Sequence, residues 1–263
     1  MDDNKSVNVV KETSETPIIS HIKELRNRLI YSFGALLIGF FVCFAFADNI
    51  FNFLTAPLMD AFGENSGRRL IYTSLPEKFF TNIKLAFFAS FMLTFPIIAS
   101  QVWMFIAPGL YKNEKKMFLP FLIFTPLLFA LGASFVYTFI LPMAWEFFIG
   151  FEQAGSTSIL PVQLESKVDE YLSLVMQLIF AFGFAFELPV VVTLLSAIGV
   201  TSSAGLREKR RYAILGAFVA AAILTPPDPL SQIGLAIPII ILYEISIYTS
   251  MLVEQKSTKS DII

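Results

Sequence analysis

Three acidic residues mark the places where this chain could do chemistry. Glu187 interrupts an otherwise uncharged stretch, Tyr171–Phe186 continued by Leu188–Leu206, and is flanked by Ala-Phe before and Leu-Pro after. A carboxylate at mid-membrane costs about 3 kcal/mol on insertion scales, so such groups face a protein interior or a water cavity, or stay protonated. Pro189, two residues on, frees a backbone carbonyl in the preceding turn that Glu187 could partner. Two readings stand: a neutral acid that packs helices together, or a group that handles substrate or couples protons. Glu24 and Glu114 each lie among bases, in Lys23-Glu24-Leu25-Arg26-Asn27-Arg28 and Lys112-Asn113-Glu114-Lys115-Lys116. The local alternatives are an i, i+4 pair of Glu24 with Arg28 and a helix-start acid at Glu114. Two carboxylates at one membrane face could instead grip guanidinium groups bidentately.

Other chemistries are excluded by what is missing. A single histidine (His21) and a single cysteine (Cys43) leave no His/Cys metal cluster and no internal disulfide, and Cys43 sits in an apolar run as a small packing residue. There is no G-x-x-x-x-G-K-[ST] or G-x-G-x-x-G loop, so neither ATP nor a dinucleotide cofactor is expected. With a single histidine and no nucleophile elbow, a hydrolase triad is not expected either. With a net charge of −2 and no basic face, nucleic acid is not an expected partner.

The elements that must position these acids are membrane spans. Of 263 residues 56% are hydrophobic, 29 are Phe and 15% are charged, against about 25% charged in soluble domains. Charged residues divide the chain into apolar spans at 29–47, 85–110, 117–145, 171–203, 212–225 and 230–250. The first four reach the ~20 residues needed to cross a bilayer. Tyr212–Thr225 and Leu230–Tyr243 have 14 residues each before a charge, so they are expected as short crossings, or else as one re-entrant hairpin about Thr225-Pro226-Pro227-Asp228-Pro229. The fold class expected is all-α, six transmembrane helices in one domain over residues 16–253, with disordered tails at 1–15 and 254–263.

Lys and Arg counts set the orientation. Fourteen lie in the N-terminal segment, the second and fourth connections and the tail, and five in the alternate connections, which puts both termini in the cytoplasm. The outer connections, 48–84 and 146–170, are long enough to form an outer cap. Thr16-Pro17 has the form of a helix N-cap and first residue. Ile18, Ile22, Leu25 and Leu29 then form an apolar stripe suited to the membrane interface before the first span. Ala45-Phe46-Ala47 resembles a cleavage site, but the apolar run before it is too long and begins too late for a signal peptide. No internal repeat is seen, which counts against inverted-repeat transporters.

The motifs together resemble the TatC family, the multispanning core of the twin-arginine protein translocase. They are Ser20-His21-Ile22-Lys23-Glu24-Leu25-Arg26-Asn27-Arg28-Leu29, Ala56-Pro57-Leu58, and Gln101-Val102-Trp103-Met104-Phe105-Ile106-Ala107-Pro108-Gly109-Leu110-Tyr111-Lys112-Asn113-Glu114. Phe184-Ala185-Phe186-Glu187-Leu188-Pro189 and Leu224-Thr225-Pro226-Pro227-Asp228-Pro229, followed by Ser231-Gln232, complete the set. They occur in the family's order and with similar spacing, over roughly residues 16–253.

The resemblance implies a cupped six-helix protein of the bacterial inner membrane that is not an enzyme. It would receive the twin-arginine signal peptides of folded precursors and use the proton gradient. The positions matching Glu24 and Glu114 contact the paired arginines in the family, and Arg26 and Arg28 fall where that site is shaped. Phe105 and Pro108 match positions whose alteration impairs transport. Glu187 matches an intramembrane acid on the concave side, near the route of the inserted signal peptide. Pro57 and Asp228 match outer-side positions important for activity. Thr225 and Gln232 match a polar patch where the single-span partners TatA and TatB dock. Self-association in a multimeric receptor complex and contact with membrane lipid are also expected. Met104 and Gly109 fall in variable positions. From the residues alone, two other classes are considered: a proton-coupled carrier relaying through Glu187, and an intramembrane enzyme, for which no second catalytic group is found.

Overall fold

The computed structural model describes residues 17–63, 68–110, 115–152, 164–224 and 229–260. Ten α-helices run among them: α1 (Pro17–Ala45), α2 (Ala47–Phe62), α3 (Glu77–Leu110), α4 (Lys115–Phe135), α5 (Leu141–Ile149), α6 (Val168–Phe186), α7 (Leu188–Ala197), α8 (Ser203–Glu208), α9 (Arg210–Leu224) and α10 (Pro229–Ser260). A π-helical turn, Val136–Ile140, joins α4 to α5 into one bent rod. Among the described residues there is no strand; an isolated parallel bridge pairs Ile71 with Lys167.

Five segments are long and apolar enough to cross a membrane: Ile19–Ala45, Glu77–Ile106, Pro120–Ile149, Val168–Ala197 and Gln232–Gln255. The sixth, α9, has 15 residues, about 22 Å at ~1.5 Å per residue, against a hydrocarbon layer of ~30 Å. The expected short first member of the final pair is therefore present. Its mate is not short: α10 has 32 residues and carries Glu244 within its apolar span. Glu244 is accommodated because Arg210 of α9 donates to its carboxylate at 2.6 Å. Nor does α10 stop at 254, where the polar composition predicts a disordered tail. An established helix adds residues at little cost, while starting one is what is unfavourable. The interfacial stripe of Ile22, Leu25 and Leu29 likewise belongs to α1 itself, for nothing between Pro17 and Ala45 breaks the helix.

Prolines determine where the rods bend. Pro57 within α2 has no N–H for the Phe53 carbonyl, and the Tyr137 hydroxyl takes that carbonyl at 2.8 Å, its ring stacked on Phe53. Tyr171 bonds the next carbonyl, Leu54, at 2.8 Å. Pro142 follows the π turn, in which the Leu141 N–H reaches back to Val136. Pro189 opens α7, and the rod that composition predicts as one helix over 171–203 breaks at Glu187. The rod ends at Ala197 because Gly199 adopts φ +75°. The amides of Val200 and Gly199 bond the carbonyls of Leu195 and Ser196, a Schellman closure.

Two cores hold the rods together. The larger, on the outer side, joins Leu54 and Leu58 of α2, Leu85 of α3, Leu141 and Trp145 of α5, Leu172, Leu178 and Phe182 of α6, and Leu235 of α10. The smaller, towards the inner side, is Phe95, Ala99 and Trp103 of α3, Phe129 of α4 and Val190 of α7. Outside the bilayer the two long connections are tied to each other. Glu152 accepts from Arg68 and from the Leu164 amide, and Arg68 lies over the Phe62 ring.

Between α4 and α6 the backbones approach closely enough that a Cβ at Gly132 would stand 2.6 Å from the Phe182 carbonyl oxygen. Such small residues let membrane helices pack without a hydrophobic driving force. Because the obstacle is backbone, it cannot rotate away. Gly132→Ala is expected to destabilise the protein by about 1–3 kcal/mol, read as a lower thermal midpoint in detergent, while Gly34→Ala, which meets nothing within 4 Å, is expected to leave it unchanged.

Candidate functional site

On the inner side the site is built where the start of α1 crosses the end of α3. Ser20, Glu24, Asn27, Arg28 and Tyr31 recur at helical spacing on one face of α1. Together with Lys23, also of α1, and Gln101 of α3 they line an open groove of about 470 Å³. Arg28 donates through Nε and Nη2 to Glu24 Oε1, at 3.0 and 2.5 Å, and through Nη1 to Gln101 Oε1 at 3.4 Å. The local i, i+4 pairing considered from sequence is therefore present, and it is extended across to α3. Neither bond from Arg28 uses Glu24 Oε2. Below the groove His21 stacks on Phe105 with ring centroids 4.2 Å apart, which gives Phe105 a part in seating α1 on α3. Arg26 lies on the opposite face of α1, exposed, with its closest polar contact at Asn27. It is not brought into the groove.

Glu114, Thr225 and Asp228 lie outside the described residues, as does the side chain of Pro108, whose backbone is in the last turn of α3. Pro57 is buried in α2, on the wall of an outer pocket of about 390 Å³ that also holds Asp60, Tyr137 and Glu146. Gln232 spends its amide on the Phe218 carbonyl at 3.3 Å, joining α10 to α9.

Glu187 is only 9% exposed, and among the described residues no other acidic or basic side chain is buried. It is the residue at the α6–α7 break, φ −74° and ψ −11°, and stands ten residues before the inner end of the rod rather than in mid-helix. Its side chain faces Thr125 and Phe129 of α4, not the carbonyl freed by Pro189 in its own rod. Its Oε1 has no hydrogen-bond partner. Thr125 accepts the Trp103 indole N–H at 2.8 Å, so α3, α4 and the break meet at this acid. Aromatic rings form the surface beside it: Phe95 stacks on Phe129 at 3.7 Å, and Phe184 leans on both, its ring half exposed.

Sequence patterns miss His21 and Gln101 as partners of the α1 face, and Thr125 as the group opposite Glu187. Gln101 and Trp103 fall inside a motif singled out for Phe105 and Pro108. The pairing itself joins positions 73 and 22 residues apart, beyond the reach of any periodicity.

This arrangement defines a class: an all-helical, multispanning membrane protein with a polar groove at its inner face and one buried acid at a helix break. Residues 20–238 match the model of the TatC family, described as Sec-independent protein translocase protein. The chain is 49% identical over 247 residues to TatC of Magnetococcus marinus, spanning 94% of this chain and 88% of that one. It is 42% identical to TatC of Escherichia coli strain K12, over 89% and 88% of the two chains. A crystal structure of a twin arginine translocase receptor, TatC, superposes with a TM-score of 0.75 at 41% identity, covering 89% of this chain and 99% of that one. The chain belongs to the TatC family. It is a multispanning protein of the bacterial inner membrane and a component of the twin-arginine protein transport pathway.

A buried carboxyl with an unpartnered oxygen stabilises little, and an apolar side chain of similar size removes the cost of burying it. Glu187→Leu is therefore expected to keep the thermal midpoint in detergent at or above that of the parent. A fall corresponding to more than about 1 kcal/mol would show that the carboxyl instead holds α4 against α6.

Proposed function

We propose that this chain is the receptor subunit of the twin-arginine translocase, taking the consecutive arginines of signal peptides on folded precursors into its inner-face groove. The observation that carries this proposal is the Glu24–Arg28–Gln101 set at the crossing of α1 and α3. Arg28 fixes the Glu24 carboxylate through one oxygen and leaves the other to accept from an incoming guanidinium. A second acid, Glu114, lies four residues beyond Leu110, the last residue of α3. Two carboxylates suit two planar forks better than they suit lysine, which lacks the paired donors. Arg28 braces Glu24 against Gln101 and Phe105 seats α1 on α3 beneath the groove, while Arg26 acts from outside the groove and Pro108 is assigned to the same site by its match to the family.

The apolar part of the signal peptide then lies along the aromatic surface of Phe95, Phe129 and Phe184 towards Glu187. Single-span subunits of the TatA and TatB type dock about Thr225 and Gln232. Pro57 and Asp228 act on the outer side after recognition. Copies of the receptor assemble into a multimeric complex, and transport draws on the proton gradient, with no cofactor and no covalent catalysis.

Glu24→Ala combined with Glu114→Ala is expected to weaken binding of a twin-arginine signal peptide about tenfold or more, since charge-assisted hydrogen bonds contribute about 1.5–3 kcal/mol each. Photocrosslinking of the peptide to the inner face measures this. Binding by the parent should also weaken as salt rises, because the groove is open to solvent. Unchanged crosslinking in the double variant would remove the groove from the mechanism.

A further inference from the structure

On the outward half of the molecule, α3 and α6 enclose a second groove, of about 460 Å³, that the receptor role leaves unused. Ile83, Phe87, Phe88, Met176 and Phe180 make it apolar, and Lys84 and Ser173 are its polar members. At its mouth Lys84 Nζ lies 2.7 Å from Asp169 Oδ1, an oxygen that also accepts from the Thr81 hydroxyl at 3.2 Å. Neither bond uses Asp169 Oδ2. The Lys84 side chain is 50% exposed and that of Asp169 35%, so both charges can be reached from outside.

The groove has three levels in register with a membrane leaflet. Both helices enter from the outer side, with the charge pair near their starts. Ser173 stands one turn below Asp169. Phe180 stands 11 residues below it, about 16 Å along the helix, which is close to half of the ~30 Å hydrocarbon layer. Charge at the top, one hydroxyl beneath it and an apolar wall one leaflet deep match the headgroup, ester and acyl levels of a phospholipid.

We infer that this groove binds an outer-leaflet phospholipid with a zwitterionic, ammonium-bearing headgroup. The phosphate sits on Lys84, the ammonium on Asp169 Oδ2, an ester carbonyl accepts from the Ser173 hydroxyl, and one acyl chain lies between Phe87 and Phe180. The paired opposite charges select this occupant. A purely anionic headgroup would gain Lys84 but meet the Asp169 carboxylate. An apolar polypeptide helix would cover both charges and match neither. The site lies apart from the inner-face groove, so it stands or falls independently of signal-peptide binding.

The test uses the full-length protein in nanodiscs of mixed phosphatidylethanolamine and phosphatidylglycerol, with a trace of either lipid carrying a diazirine on its acyl chain, and peptide mapping after illumination. Labelling of Phe87–Phe88 and Met176–Phe180 by the phosphatidylethanolamine probe is expected. It should fall about fivefold in Lys84→Gln combined with Asp169→Asn, as two exposed charge contacts would give. Ser173→Trp, which fills the groove and keeps the charges, should also abolish it while leaving inner-face peptide binding intact. Equal labelling by the phosphatidylglycerol probe, or none in the groove, overturns the inference whether or not the double variant folds. So does capture of a polypeptide instead of a phospholipid by a benzophenone side chain placed at Phe87 in cells.

Discussion

The structure depends first on the absence of water from the bilayer core, where every backbone donor and acceptor has to be answered by the protein. Three prolines, Pro57, Pro142 and Pro189, stand where the helices bend or break, and each withdraws one donor. The answers come from elsewhere in the fold. Tyr137, in the π turn, covers the carbonyl that Pro57 leaves open at Phe53, and Tyr171 takes the neighbouring one at Leu54. The π turn itself, placed just ahead of Pro142, shifts the bonding pattern by one residue. These bonds run between α2, the α4–α5 rod and α6, so satisfying the backbone and fixing the outer half of the cup are one event.

The same constraint creates the inner site. Pro189 breaks the fourth rod, and the residue at the break is the buried acid. A carboxyl there meets α4 rather than lipid, because the break turns it against Thr125 and Phe129. Trp103, bonded to Thr125, carries the connection to α3, whose far end holds Phe105 under the α1 groove. The groove and the acid are thus joined through one helix, α3, which sends Trp103 towards the acid and Phe105 under the groove.

Much of this was legible in the residues. Charge-free stretches located the spans because each charge in hydrocarbon is costly, and the basic residues gave the orientation. Glu187 was identifiable as the exceptional group for the same reason. The ends of elements were less legible. The break at Glu187 was less legible because the segments on either side of it are apolar all round, where periodicity carries no signal of a helix end. The length of α10 was masked by a polar tail that α8 holds in place: Glu254 accepts from the Ser203 amide and hydroxyl at 2.7 and 2.6 Å. Partners such as Gln101 for Arg28, or Tyr137 for Phe53, join distant segments and leave no local trace.

The Glu254–Ser203 contact also makes the last helix more than a membrane span. The elbow from α7 through α8 is closed by a carboxylate 51 residues downstream, and the hydroxyl face of α7 finds its cover there too, Thr193 meeting Thr249 at 2.5 Å. The last helix is therefore a clasp as well as a span, fastening the α7–α8 elbow from 51 and 56 residues away in the chain.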